Sequence, residues 1–189
     1  MQTLSQRRFF PMYYARGVAD VTPEFIRGCG CSALLLDIDN TVSRVDAPEA
    51  TREAEAWFDT LRRADIPMAF VSNNDPERVE PFARRYGAKY VSHAQKPRRE
   101  GYDRAAQALG HAPDACMVVG DQLFTDILGG NSAGMQTVIV EPLCEAEDPV
   151  AFRKRRRLEK LLLRLDRLLC ARRRKIGGSQ NENHVSHRL

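Results

Sequence analysis

Residues 33–41 read ALLLDIDNT. Ala33–Asp37 has the near-continuous apolar run of a strand buried on both faces, and the chain then turns through Ile38, Asp39, Asn40 and Thr41. Four more runs of this kind follow: Met68–Ser72 (MAFVS), Lys89–Ser92 (KYVS), Cys116–Gly120 (CMVVG) and Thr137–Glu141 (TVIVE). Between them lie stretches of helical character, at Thr51–Ala64, Pro76–Tyr86, Arg98–Leu109 and Gln122–Ala133. Alternating strands and helices predict an α/β fold, a doubly wound parallel sheet of about five strands. Such sheets bind ligands at the carboxyl ends of their strands.

The rest of the 189-residue chain divides around this block. Residues 1–31 form a lead segment, with Phe9, Phe10, Tyr13 and Tyr14 expected to staple onto the core. A helix start stands at Thr22-Pro23-Glu24, with Thr as N-cap and Pro in the first turn. Residues 32–148 are the α/β domain, 149–175 a basic helix, and 176–189 a polar tail expected to be disordered. With 43% hydrophobic residues the chain can build a core. No run approaches the length of a membrane-spanning helix, and MQTLSQRRFFPMYYARG lacks the apolar region of a secretory signal. Five cysteines are an odd number, and Cys29-Gly30-Cys31 has no second ligand pair for zinc. Free thiols in a reducing, cytoplasmic setting are the expectation.

Polar groups follow each strand in turn. Asp37 and Asp39 follow the first, Ser72, Asn73 and Asn74 the second, Lys96-Pro97 the third, and Asp121 and Asp126 the fourth. A parallel sheet gathers them on one edge. So many carboxylates repel one another unless a cation or proton intervenes. Mg²⁺ is the natural cation, because it takes a few carboxylates, waters and a substrate phosphate. A carboxylate in such a site can attack phosphorus and form an aspartyl phosphate. Lys96 and Mg²⁺ would offset the repulsion between that carboxylate and an anionic phosphate.

The set D-I-D-N-T, V-S-N-N, K-P and G-D-Q-L-F-T-D resembles the haloacid dehalogenase superfamily of phosphatases, from about Ala33 to Glu141. The block GDQLFTDILGGNSAGM, with the lead P-M-Y-Y…V-T-P-E, is similar to the YqeG-type subfamily IIIA phosphatases and, through them, to mitochondrial phosphatidylglycerophosphate phosphatases. The resemblance implies a Rossmann-like fold and a role for each matching residue. Asp37 would be the nucleophile. Asp39 would protonate the leaving group and then activate water, its backbone carbonyl on Mg²⁺. Thr41 would stabilise the loop. Ser72 and the backbone of Asn73 would bind phosphoryl oxygens, and Lys96 would neutralise the intermediate. Asp121 would ligate Mg²⁺ and Asp126 would support the metal shell.

Enzymes of this superfamily often carry a cap domain after the first or third strand. Thr41 and Ser72 are only 31 positions apart, and Ser72 and Lys96 only 24. Neither gap has room for a cap. An open site suits a phosphate presented on a large body, such as a lipid in a bilayer, a protein or a nucleic-acid end. Closure by a neighbouring subunit, over a soluble phosphate ester or phosphoprotein, is the competing expectation.

The net charge of +4 conceals a division. Residues 149–175 carry 12 Lys and Arg against two acidic residues, a net of +10, while residues 1–148 carry −6 and the tail is balanced. Leu158, Leu161, Leu162, Leu165, Leu168 and Leu169 share one helical face. That face predicts either an interfacial helix on an anionic membrane, which would make the protein peripheral on the inner face, or a sixth helix packed on the core. A dimer seam has too few heptads. RNA or ribosome binding through the basic face remains an alternative of another class, though no aromatic residues interleave there for base stacking.

Overall fold

The computed structural model describes residues 9–144 and 150–169, and the side chains of the last helix over 155–166. Its centre is a six-stranded sheet made of β1 (Tyr13–Tyr14), β2 (Ala33–Leu36), β3 (Met68–Val71), β4 (Lys89–Val91), β5 (Cys116–Gly120) and β6 (Gln136–Ile139). The order is β1-β6-β5-β2-β3-β4, and every neighbouring pair is parallel. From β2 the chain first winds outward through β3 and β4, then crosses back to β5 and β6. The reversal leaves a crevice between β2 and β5, at their carboxyl ends.

Alternate residues of the central strands enter two different cores. Leu34, Leu36, Met68, Phe70, Met117 and Val119 pack on one face with the helices α1 (Pro23–Gly28), α2 (Arg52–Arg63) and α3 (Pro76–Arg85). Ala33, Leu35, Ala69, Val71, Cys116 and Val118 pack on the other face with α4 (Arg99–Leu109) and the short α5 (Leu128–Ser132). Both faces are covered, which is why these strands read as unbroken apolar runs. Helix starts follow sequence chemistry: the hydroxyls of Thr22 and Thr51 accept from the amides of Phe25 and Ala54, each at 3.2 Å. Cys29, Cys31, Cys116 and Cys144 are free thiols, and burial pushes the Cys31 thiol up to about 12.

Two elements of the α/β body differ from expectation. The sheet has six strands rather than about five, because Tyr13–Tyr14 of the lead segment pairs with Val138 and Ile139 as an edge strand. The Tyr13 ring also packs edge-on against Phe25, with centroids 5.0 Å apart. Second, the helix expected over Gln122–Ala133 opens as a wide π turn at Leu123–Ile127 before becoming α5. The Asp126 side chain accepts from the Gln122 amide at 3.0 Å, and this contact helps hold the wide turn.

The last helix, α6 (Val150–Leu169), docks in an unexpected way. Arg156, Glu159 and Asp166 are buried, whereas Leu158, Leu161 and Leu165 are 49%, 54% and 44% exposed. Among the described side chains of this helix, Leu162 and Leu163 pack half-buried against a small cluster of Tyr14, Leu123, Ile127 and Ile139. The leucine row is therefore split over the described side chains: Leu162 packs inward, while Leu158, Leu161 and Leu165 stay exposed. Leu168, Leu169, residues 170–175 and the tail at 176–189 lie outside them.

Phe70 is fully buried between Phe58 and Phe82, with ring centroids at 5.9 and 5.1 Å. Phe70→Ala is expected to lower unfolding stability by about 3–5 kcal/mol, read by urea denaturation. A loss below about 1 kcal/mol would contradict this packing.

Candidate active site

The carboxyl ends of β2, β3 and β5 surround a cavity of about 270 Å³ whose lining includes Asp37, Asp39, Ser72, Asn73, Lys96 and Arg156. Of the residues singled out in the sequence, Asp37, Asp39, Ser72, Asn73 and Lys96 line this cavity, and Thr41, Asp121 and Asp126 hydrogen-bond to residues that line it. Asp37 and Asp121 follow β2 and β5 directly, Ser72 follows β3, and Asp126 comes from the π turn. Lys96 reaches in from the loop after β4.

Lys96 is the hub. Its ammonium donates to Asp37 Oδ1 and, at 2.8 Å, to Asp126 Oδ1. The side chain is only 6% exposed, so this is no solvated surface lysine. Burial would lower its pKa, but the neighbouring carboxylates of Asp126 and Asp37 outweigh that and hold the ammonium charged, well above the ordinary lysine value. Asp37 moves the other way. Burial raises its pKa to about 7, Lys96 opposes the rise, and Asp126 and Asp39 add to it.

Asp37, Asp121 and Asp126 offer oxygens that lie within 4.8 Å of one another, all buried. Burial also holds Asp121 well above the usual carboxylate range, opposed by Arg156 and reinforced by Asp37 and Asp126. The Thr41 hydroxyl bridges two members of this group, 3.2 Å from Asp37 Oδ2 and 3.4 Å from Asp121 Oδ1. Gly120 makes the approach of Asp126 possible: a Cβ there would lie 2.4 Å from the Asp126 carboxyl carbon.

The Asp39 carboxylate stands apart from the group of three. It accepts from Asn74 Nδ2 at 2.6 Å and from Arg78 at 3.0 Å. On the phosphate side, the buried Ser72 Oγ accepts from the Asn74 amide at 3.1 Å. The Asn73 side chain accepts from the Lys96 amide at 2.7 Å, tying the β3 loop to the lysine loop.

Arg78, Gln122, Arg155 and Arg156 also belong to the site and its walls, and sequence reasoning missed them; Asn74, noted after the second strand, was given no role there. Asn74 had a signal, since it extends the same Ser72-Asn73 loop. Arg78 sits in the first turn of α3, close to the β3 loop. The two arginines had none, because α6 reads as a basic helix whose partners are far away in the chain.

A parallel sheet with a buried lysine among carboxylates at its switch point belongs to an enzyme of the α/β class. The family model of haloacid dehalogenase-like hydrolases matches residues 21–134, and the chain belongs to that family. It is 32% identical over 155 residues to the "Probable phosphatase YqeG" of Bacillus subtilis, covering 82% of this chain and 90% of the relative. It is 33% identical over 92 residues to the "Phosphatidylglycerophosphate phosphatase 1, chloroplastic/mitochondrial" of Arabidopsis thaliana, covering 49% of this chain and 26% of that one. Among solved structures, an uncharacterized protein from Listeria monocytogenes shares the fold, with a TM-score of 0.50 and 16% identity over 72% of this chain and 99% of that one.

The raised pKa of Asp37 has a measurable sign. The folded state binds a proton more tightly than the unfolded chain between about 3.8 and about 7, so the contribution of Asp37 to stability falls as pH rises through that window. In EDTA, wild type is expected to lose stability relative to Asp37→Asn between pH 4 and pH 7, read by urea denaturation at each pH. A difference that stays flat or grows in favour of wild type would contradict the site's electrostatics.

Proposed function

We propose that this protein is a phosphomonoesterase working through an aspartyl phosphate on Asp37. The observation that carries the reading is the Asp37 carboxylate, buried at the switch point and held by Lys96 beside Asp121 and Asp126. Asp37 Oδ attacks phosphorus, and the bond to the ester oxygen breaks. Asp39 donates its proton to the departing oxygen, then takes a proton from the water that attacks the aspartyl phosphate. That attack releases inorganic phosphate and restores Asp37. The hydrogen bonds from Asn74 and Arg78 aim the Asp39 carboxyl for both transfers. Ser72 and the backbone of Asn73 orient the phosphoryl oxygens, while Lys96 balances their charge.

Three buried carboxylates whose oxygens lie within 4.8 Å of one another, and which offer only oxygen donors, fit a hard divalent cation. Asp37 and Asp121 would hold Mg²⁺, with the Asp39 carbonyl and Asp126 in support. When bound, the ion neutralises phosphate charge and polarises the phosphoryl group.

The substrate reading is phosphatidylglycerophosphate, dephosphorylated to phosphatidylglycerol by a cytoplasmic protein lying peripherally on the inner face of the membrane. The relatives' names support it. So does α6: the exposed Leu158, Leu161 and Leu165 share its surface with the exposed Arg157, Lys160 and Arg164. Leucines in the acyl boundary and basic residues among anionic headgroups are the pattern of an interfacial helix. Among the described residues no helix is long and apolar enough to cross a membrane.

Phosphate release with Mg²⁺ is measured across phosphatidylglycerophosphate vesicles, sugar phosphates and nucleotides. Selective turnover of the lipid is expected, with Asp37→Asn lowering it about 10⁴-fold or more while the fold persists. Preference for a soluble ester would overturn the lipid substrate. Near-normal turnover by Asp37→Asn would overturn the nucleophile.

A further inference from the structure

Helix α6 lies beyond the segment that the family model matches, which ends at residue 134. Its inner face nevertheless reaches the centre of the site. One nitrogen of the Arg156 guanidinium donates to the Asp121 backbone carbonyl at 2.8 Å, and the other pairs with Asp121 Oδ2. Arg156 is only 7% exposed.

The geometry assigns oxygens. Arg156 takes Oδ2 of Asp121, while Oδ1 faces the Thr41 hydroxyl, which also touches Asp37. The guanidinium thus grips Asp121 at two points and leaves Oδ1 beside the Thr41 hydroxyl, in a carboxylate group whose oxygens lie within 4.8 Å of one another. Arg156 also lies 3.6 Å from Glu159, which accepts from the Phe124 amide of the π turn at 3.2 Å. Farther along the helix, the Tyr14 hydroxyl of the edge strand donates to Asp166 at 2.7 Å. These buried polar contacts fix the helix's rotation about its axis. They also account for Leu158, Leu161 and Leu165 facing outward.

We propose that Arg156 is a positioning residue, which orients the Asp121 carboxylate for a divalent cation and makes α6 part of the active site. The inference rests on the metal-dependent reading above and adds a residue to it. A guanidinium suits the task because its planar fork engages a carboxylate and a carbonyl together, which an ammonium cannot do with fixed geometry. A carboxylate that ligates a metal depends on such outer partners for its orientation. A positive charge this close also opposes a second cation. The proposal therefore commits to a sign: orientation outweighs repulsion, and losing Arg156 weakens the metal site.

The test is the affinity of metal-free protein for Mg²⁺, read by isothermal titration and by the Mg²⁺-dependent shift in melting temperature. Arg156→Gln is expected to weaken binding about 10- to 100-fold. Its turnover should recover toward wild type when Mg²⁺ is raised to saturation, a rescue that a misfolded protein would not show. Should Arg156→Gln fail to fold, Arg156→Lys serves instead, keeping the charge, losing the fork, and binding Mg²⁺ several-fold more weakly. Unchanged or tighter binding in the variant that folds, beside a wild type that binds Mg²⁺ and hydrolyses phosphomonoesters, overturns this inference and leaves the proposed function standing. A wild type that binds no divalent cation overturns both.

Discussion

Everything at the catalytic edge depends on one buried ammonium. Lys96 stands between Asp37 and Asp126, with Asp121 close by. Remove its charge and three carboxylates face one another out of water, a situation that costs several kcal/mol for each ion left uncompensated. The fold is arranged to make this meeting possible. Parallel pairing sends β2, β3 and β5 out of the sheet on the same side, and the reversal of winding between β2 and β5 opens the crevice that receives their loops. Gly120 then lets Asp126 lie against the end of β5, where any side chain would collide with it. Lys96 and Arg156 supply two positive charges to the group from opposite parts of the chain, the loop after β4 and the C-terminal helix.

Much of this was legible in the sequence, for a physical reason. Central strands of a parallel sheet are buried on both faces, so they stand out as short apolar runs, and the residues just after them are the ones the topology collects. Asp37, Ser72 and Asp121 could be placed by that logic alone. The edge strand Tyr13–Tyr14 could not, because two residues carry no periodicity and the pairing with β6 spans the length of the domain. The π turn was hidden too. Its window has the composition of a helix, and the contact that helps hold the widening, between Asp126 and the Gln122 amide, leaves no periodic mark in the sequence.

Helix α6 shows the limit most clearly. Periodicity identified a leucine face, and burial by hydrophobicity would turn that face inward. The structure turns in Arg156, Glu159 and Asp166 instead, because each finds a polar partner in the body: Asp121, the Phe124 amide and Tyr14. Those partners are distant in sequence, so no local pattern announces them. The result joins the two halves of the charge distribution. The acidic site receives an arginine from the basic helix, and the helix keeps Leu158, Leu161 and Leu165 at the surface beside Arg157, Lys160 and Arg164. One helix thus contributes Arg155 and Arg156 to the wall of the site and an apolar, basic surface beside it, which is the arrangement a lipid phosphate would need.

The central claim is that Asp37 carries the phosphoryl group. Its most direct test is to mix enzyme, Mg²⁺ and a turning-over phosphomonoester, quench in acid, and map phosphorylated peptides by mass spectrometry. The account predicts a phosphoryl adduct on Asp37 that is absent from Asp37→Asn. A stable adduct on another residue, or turnover with no adduct and direct attack of water on substrate, would contradict it.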